Sequence, residues 1–197
     1  PTLPEVYNNL ANLLISLNRD SEAIEYLQQA LALRRHFGKA LFNMGRIYLK
    51  QKNVDTAIEF FKKSCMAGDF DNEFGFNFYG LTCLMAGRYD ESINAYKKTL
   101  SLNPKNNEAL INLGYNFLNK KDYKMAAFYF ERGLSIYPDD ITILKNLVEV
   151  YFITKKYTDA LQTYNRLREH DKPITINPEI AARLNEMRKM NNIELLP

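Results

Sequence analysis

Ala23, Ala57, Ser92, Ala126 and Ala160 fall in register at steps of 34, 35, 34 and 34 residues, and the other structural positions keep the same step. A fixed period of this size marks a repeat array. Each unit is one supersecondary element, too small to bury its apolar face alone, so neighbours must stack. Function in such an array belongs to a surface rather than to an enclosed pocket.

Counting from Ala23 gives five units: residues 4–37, 38–72 (with Asn72 as one inserted residue), 73–106, 107–140 and 141–174. Each holds two apolar stretches at helical spacing, split by a short polar break at Asn18-Arg19-Asp20, Lys52-Asn53, Gly87-Arg88, Lys121-Asp122 or Lys155-Lys156. Two antiparallel helices per unit follow. Asn103-Pro104, Tyr137-Pro138 and Asp171-Lys172-Pro173 end three units, because proline cannot continue a helix, and Gly68 to Asn72 turns the second. Pro178 can open one last helix, about residues 178–190, with Ile180, Leu184 and Met187 on one face and Arg183, Glu186 and Lys189 beside them. That helix reads as a cap with one wet side, closing a single domain over residues 4–190.

These columns resemble the tetratricopeptide repeat, a helix-turn-helix unit. The pattern appears as Leu113-Gly114, Phe117, Tyr123, Ala126, Phe130 and Pro138 in the fourth unit, and as Tyr79-Gly80, Tyr89, Ser92, Tyr96 and Pro104 in the third. The resemblance implies an all-α fold: a right-handed superhelical solenoid of antiparallel helix pairs, five repeats plus a C-terminal capping helix. Val148 and Leu167 stand where small residues are usual, and Arg35 and Asp69 where the family has a terminal proline. These departures are expected to loosen packing locally. Ala23, Ala57 and Ala126 let helices approach closely, and Tyr or Phe from the opposing helix fills the gap.

At about 100° per residue, the first helix of the third unit places Phe76, Tyr79, Gly80 and Cys83 in a core stripe, with Phe74, Phe78, Leu81 and Met85 opposite. Other units give that opposite face mostly to polar groups: Glu5, Asn9, Asn12 and Ser16 in the first, Lys39, Asn43, Arg46 and Lys50 in the second. In the family this face lines a concave groove. The resemblance therefore sets Phe74, Phe78, Leu81 and Met85 mid-groove, flanked by Phe42, Leu49, Ile111, Tyr115 and Leu118. An apolar patch of this kind calls for cover by a partner peptide or helix, by the C-terminal segment, or by a second copy in a homo-oligomer, unless it packs structurally. Burying four such side chains contributes about 1.5–3 kcal/mol each, against an association cost of about 4–15 kcal/mol. Tight binding therefore needs polar neighbours too.

Asn9, Asn43, Asn112 and Asn146 supply such neighbours in one column, broken only by Phe78. An amide offers both donor and acceptor, so it can grip the backbone of an extended peptide, and the column is similar to the asparagine ladder of the O-linked N-acetylglucosamine transferase repeats. Solvated asparagines are the plainer account of the same column. A carboxylate clamp for acidic chaperone tails is matched in part by Asn8, Asn12 and Asn43. It needs Lys and Arg where this chain has Phe74 and Phe78, so that groove is rejected.

Composition removes other classes. A net charge of +3 over 197 residues, with both signs interspersed, makes no basic field, so no nucleic-acid partner is expected. No apolar run approaches the roughly 18 residues of a membrane span. Cys65 and Cys83 stand singly on apolar faces and read as buried thiols. His36 and His170 lie near second-helix ends, where a cation suits the dipole, and Glu22, Asp90 and Glu91 open second helices for the converse reason. With no phosphate loop, HExxH or paired-cysteine spacing, no enzymatic activity, cofactor or metal is expected of this segment. Leu13 and Leu14 make the first helix apolar enough to want cover on both sides, and the sequence opens at Pro1 without Met, so a longer parent chain is expected.

Overall fold

The computed structural model describes residues 2–69, 72–169 and 176–194. Among them are eleven α-helices and no strand: α1 (Leu3–Ser16), α2 (Asp20–Leu33), α3 (Gly38–Lys50), α4 (Val54–Cys65), α5 (Asn72–Met85), α6 (Tyr89–Leu102), α7 (Asn107–Asn119), α8 (Tyr123–Ile136), α9 (Ile141–Ile153), α10 (Tyr157–Arg168) and α11 (Pro178–Glu194). His170 and the Asp171-Lys172-Pro173 stop lie outside the described residues, as do Phe70 and Asp71 of the second inter-unit turn.

The chain divides into two compact units, Pro1–Asn106 and Asn107–Pro197. In the first, α1 pairs with α2, α3 with α4 and α5 with α6, and the pairs stack through α2 on α3 and α4 on α5. In the second, α7 pairs with α8 and α9 with α10, stacked through α8 on α9 and ended by α11 on α10.

One device turns every pair. Asn18, Lys52, Gly87, Lys121 and Lys155 have φ of 59°, 62°, 72°, 59° and 60°, at the repeat step. The N–H that follows each reaches five residues back, as in Arg19 to Leu14 O and Asp122 to Phe117 O, at 2.8–2.9 Å. The left-handed residue thus closes a Schellman turn that satisfies carbonyls at the end of the first helix and sends the second helix back.

Pairs close through small residues. Ala23, Ala57, Ser92, Ala126 and Ala160 are fully buried, and the Ser92 hydroxyl donates to the Gly80 carbonyl at 2.7 Å. A Cβ on Gly45 would stand 2.7 Å from the Phe61 ring, and one on Gly80 2.9 Å from the Tyr96 ring. At this column Val148 is fully buried with Tyr164, and Leu167, one repeat step on from Gly133, is 1% exposed. The larger residues at Val148 and Leu167 are therefore accommodated in the interior rather than pushed into solvent.

The stacking face of α3 is Ala40, Met44 and Ile47 together with Phe37 just before the helix, all buried in one cluster with Leu27 and Ala30 of α2. One repeat step earlier, α1 carries Leu3, Val6, Leu10 and Leu13. Leu3, Val6, Leu13 and the nearby Leu17 are 53%, 44%, 56% and 56% exposed, whereas Leu14 is buried. At the other end Ile180 and Leu184 of α11 bury against Val148, Leu161 and Tyr164, leaving Arg183, Glu186 and Lys189 in solvent.

Candidate functional site

The first helices of the amino-terminal unit bring a polar cluster and an aromatic cluster side by side on α3. Asn43 is buried. Its Nδ2 donates to Asn8 Oδ1 at 3.0 Å, and its Oδ1 accepts from Arg46 Nη1 at 3.1 Å. Arg46 also donates to Asn12 Oδ1 at 3.2 Å, so Arg46 and Asn12 stand exposed at the wet edge of a network linking α1 to α3. Asn9 is exposed nearby on α1. Of this network only Asn43 stands in the asparagine column; Asn12 and Arg46 share the first-helix face named from the sequence, and Asn8 lies outside both. Its column holds no run of asparagines and the sequence set it only in the rejected clamp, so the contact across helices is what shows its pairing with Asn43.

Phe42, one position before Asn43, is 5% exposed and carries the aromatic cluster. Its ring centroid lies 5.3 Å from Phe61, 5.1 Å from Phe74 and 5.1 Å from Phe78, and Phe74 and Phe78 are 4.7 Å apart. Such tilted and edge-on arrangements suit the ring quadrupoles. Phe74 remains 47% exposed and Met85 65% exposed. Phe78 and Leu81 are half-buried. Of the four side chains expected mid-groove, Phe74 and Met85 are thus exposed, while Phe78 packs edge-on against Phe42 of the preceding first helix and Leu81 is half-buried.

In the second unit Asn146 is buried on α9, and its Nδ2 donates both to the Tyr115 hydroxyl at 3.0 Å and to the Thr142 carbonyl at 2.7 Å. Tyr115 meets Phe130 edge-on, with centroids 5.9 Å apart. Asn112, Tyr115, Ile111 and Leu118 are half-buried. The amides of Asn43 and Asn146 are therefore engaged within the fold, while Asn9 and Asn12 face solvent.

Little here serves covalent or metal chemistry. Burial pushes the thiols of Cys65 and Cys83 up to about 12, so neither forms a thiolate readily near neutral pH. The Tyr79 hydroxyl donates to Glu91 at 2.9 Å, and desolvation raises its pKa. Among the described residues no group of three or more His, Cys, Asp or Glu could hold a metal ion, and no helix is long and apolar enough to cross a membrane.

Profiles described as tetratricopeptide repeat or TPR repeat match residues 8–72, 80–121 and 107–140. BBSome complex member BBS4 of Bos taurus is 26% identical over 162 residues, which are 82% of this chain and 31% of that protein. TPR repeat-containing protein MJ1428 of Methanocaldococcus jannaschii is 24% identical over 200 residues, covering 96% of this chain and 35% of that one. The chain therefore spans about a third of the length of these relatives. Among solved structures, YrrB, a TPR protein with an unusual peptide-binding site, superposes with a TM-score of 0.75 at 20% identity, over 91% of this chain and 90% of that one. MamA of Desulfovibrio magneticus RS-1 gives 0.74 at 14% identity, over 87% of this chain and 99% of that one. Repeats and neighbours together support a protein-interaction module. The chain belongs to the tetratricopeptide-repeat family.

Proposed function

We propose that the chain is a non-catalytic adaptor module that receives an extended peptide or a helix of a protein partner on the first-helix face of α1, α3 and α5. The observation that carries this reading is the half-exposed Phe74 ring, backed by Phe42 and Phe78 and set beside Asn9, Asn12, Asn43 and Arg46. A ring held by other rings loses little side-chain freedom on binding, so its burial contributes to affinity with a small entropic cost. Arg46 can exchange its exposed bond to Asn12 for one to a partner's carbonyl, and the Asn12 Oδ1 so released can accept from a partner's N–H. In the second unit, Asn112, Tyr115 and Asn146 occupy the equivalent repeat positions, with Asn112 and Tyr115 half-buried and Asn146 buried.

Phe74→Ala combined with Met85→Ala tests the reading, since both side chains are exposed and Phe42 and Phe78 keep their contacts with Phe61. Affinity capture read by quantitative mass spectrometry is expected to lose the specific partners of the wild type by at least about tenfold, with helicity unchanged by circular dichroism. Unchanged recovery sinks the reading.

A self-associating scaffold is a second reading, favoured by the exposed stripe of Leu3, Val6 and Leu13 on α1 with Leu17 just after it. With the half-buried Leu10 between Val6 and Leu13, the stripe steps by three and four residues, the spacing of a helix seam. Light scattering decides: association at micromolar concentration that Leu13→Glu abolishes supports it, and a strict monomer rejects it.

A further inference from the structure

The other face of α5 shows a gap that the repeat step makes legible. In the second repeat Tyr48 and Phe60 stack with centroids 5.4 Å apart and planes 8° apart. Phe117 and Tyr129 do the same in the fourth, at 5.5 Å and 6°. The register equivalents in the third repeat are Cys83 and Ala95, so both rings are missing there. At that place the structure holds a cavity of about 400 Å³, lined by Phe76, Tyr79, Asn94, Ala95, Lys97, Lys98 and Ser101. Phe76 is half-buried and Tyr79 and Ala95 are buried, whereas Asn94, Lys97, Lys98 and Ser101 are exposed around them. An apolar floor thus lies within a polar, cationic rim.

A second register relation says what fits. Lys63 holds its ammonium 5.5 Å over the Phe60 ring, and Lys98 is its equivalent one repeat on. Arg132, one repeat further, acts electrostatically on Tyr129. In the second and fourth repeats, then, a cation of the second helix accompanies a ring of the same helix. In the third repeat the cation is present and the ring is absent. A cavity of about 150 Å³ with an aliphatic and aromatic lining suffices to hold benzene, so this one accepts an aromatic side chain with room for its neighbours.

We propose that this cavity receives an aromatic side chain of a protein partner, flanked in the partner's sequence by Asp or Glu. The ring restores the missing stack against Phe76 and Tyr79, Lys98 lies over it as Lys63 lies over Phe60, and the flanking carboxylate pairs with Lys97. Lys97 and Lys98 supply the charge that selects an acidic surround. The site lies opposite Phe74 and Met85 on α5, so it stands or falls separately from the first-helix face.

Ala95→Phe rebuilds the missing ring from within. The full chain carrying it is expected to melt about 2–4 °C higher than wild type, because the ring enters a space already shaped for one. A random peptide library panned on wild type is expected to enrich sequences with Trp, Tyr or Phe beside Asp or Glu. For a labelled peptide from that enrichment, fluorescence anisotropy should show at least about tenfold weaker binding to Ala95→Phe and about 2–5-fold weaker binding to Lys98→Ala, with Phe74→Ala unchanged. Lys98→Glu, an exposed change that leaves folding intact, should abolish binding of the acidic peptide, and it keeps the test valid if Ala95→Phe folds poorly. Enrichment of no acidic-aromatic sequence overturns the proposal. So does binding that survives both Ala95→Phe and Lys98→Glu.

Discussion

Lys121 occupies a backbone conformation that its side chain does nothing to favour. At φ of 59° an L residue brings its Cβ close to the following carbonyl, a cost that glycine escapes. Gly87 fills the equivalent place in the third repeat with φ of 72° and no such cost, and Asn18 in the first belongs to a type that tolerates the left-handed region. Lys121 is exposed and forms its Schellman bonds through the backbone, so Lys121→Gly keeps every bond. The glycine also loses more chain entropy on folding, which offsets part of the gain, and a net stabilisation of about 0.5–1 kcal/mol is expected. Urea titration followed by circular dichroism checks it; a lower midpoint means that the lysine side chain contributes something the backbone account omits. Gly87 could be read from sequence as a turn residue, but Lys52, Lys121 and Lys155 carry no turn signal of their own. The repeat step shows that they share the position of Gly87.

At the scale of the helix pair, the fold rests on matched volumes. Gly45 faces Phe61 and Gly80 faces Tyr96, while in the first repeat Ala11 shares a cluster with the smaller Leu27. Gly45→Ala puts a methyl 2.7 Å from a ring that is fully buried and has no space to retreat into. Overpacking of this kind costs about 1–3 kcal/mol, and better helix propensity returns at most about 1 kcal/mol. The substitution is therefore expected to destabilise, and Gly45→Ala joined with Phe61→Leu, which copies the first repeat, should destabilise by less than the sum of the two single changes. Additive losses in a double-mutant cycle by urea unfolding would remove volume matching as the reason for the glycine. The pairing of helices was legible because small and large columns recur at one step. The state of the candidate site was legible only in part. A helical wheel aligns Phe78 with Phe74, but its burial depends on Phe42 in another helix. The asparagine column was visible too, yet whether an amide is occupied depends on Asn8, Tyr115 and Thr142, which lie across helices or one turn away.

At the scale of the whole molecule, a repeat array has no central core, so damage stays near its source. The carboxyl-terminal unit makes this testable through α11. Leu184 is fully buried against Val148, Leu161 and Tyr164, in a cluster that Ile180 joins and Ile176 and Met187 flank. Leu184→Ala removes the centre of that contact and is expected to cost about 2–5 kcal/mol, since buried leucine truncation loses transfer energy and leaves a cavity. The loss should appear first as faster amide exchange in α9, α10 and α11. The Phe42, Phe61, Phe74 and Phe78 cluster belongs to the other unit, so amides of α3 and α5 should keep wild-type protection under native conditions. Hydrogen exchange read by mass spectrometry distinguishes the outcomes. Protection lost equally along the chain would mean that the two units unfold as one, and binding at the Phe74 face would then depend on the terminal helix. Confined loss would mean that the aromatic face and the cap can be altered independently, which is what a modular interaction surface built from local contacts requires.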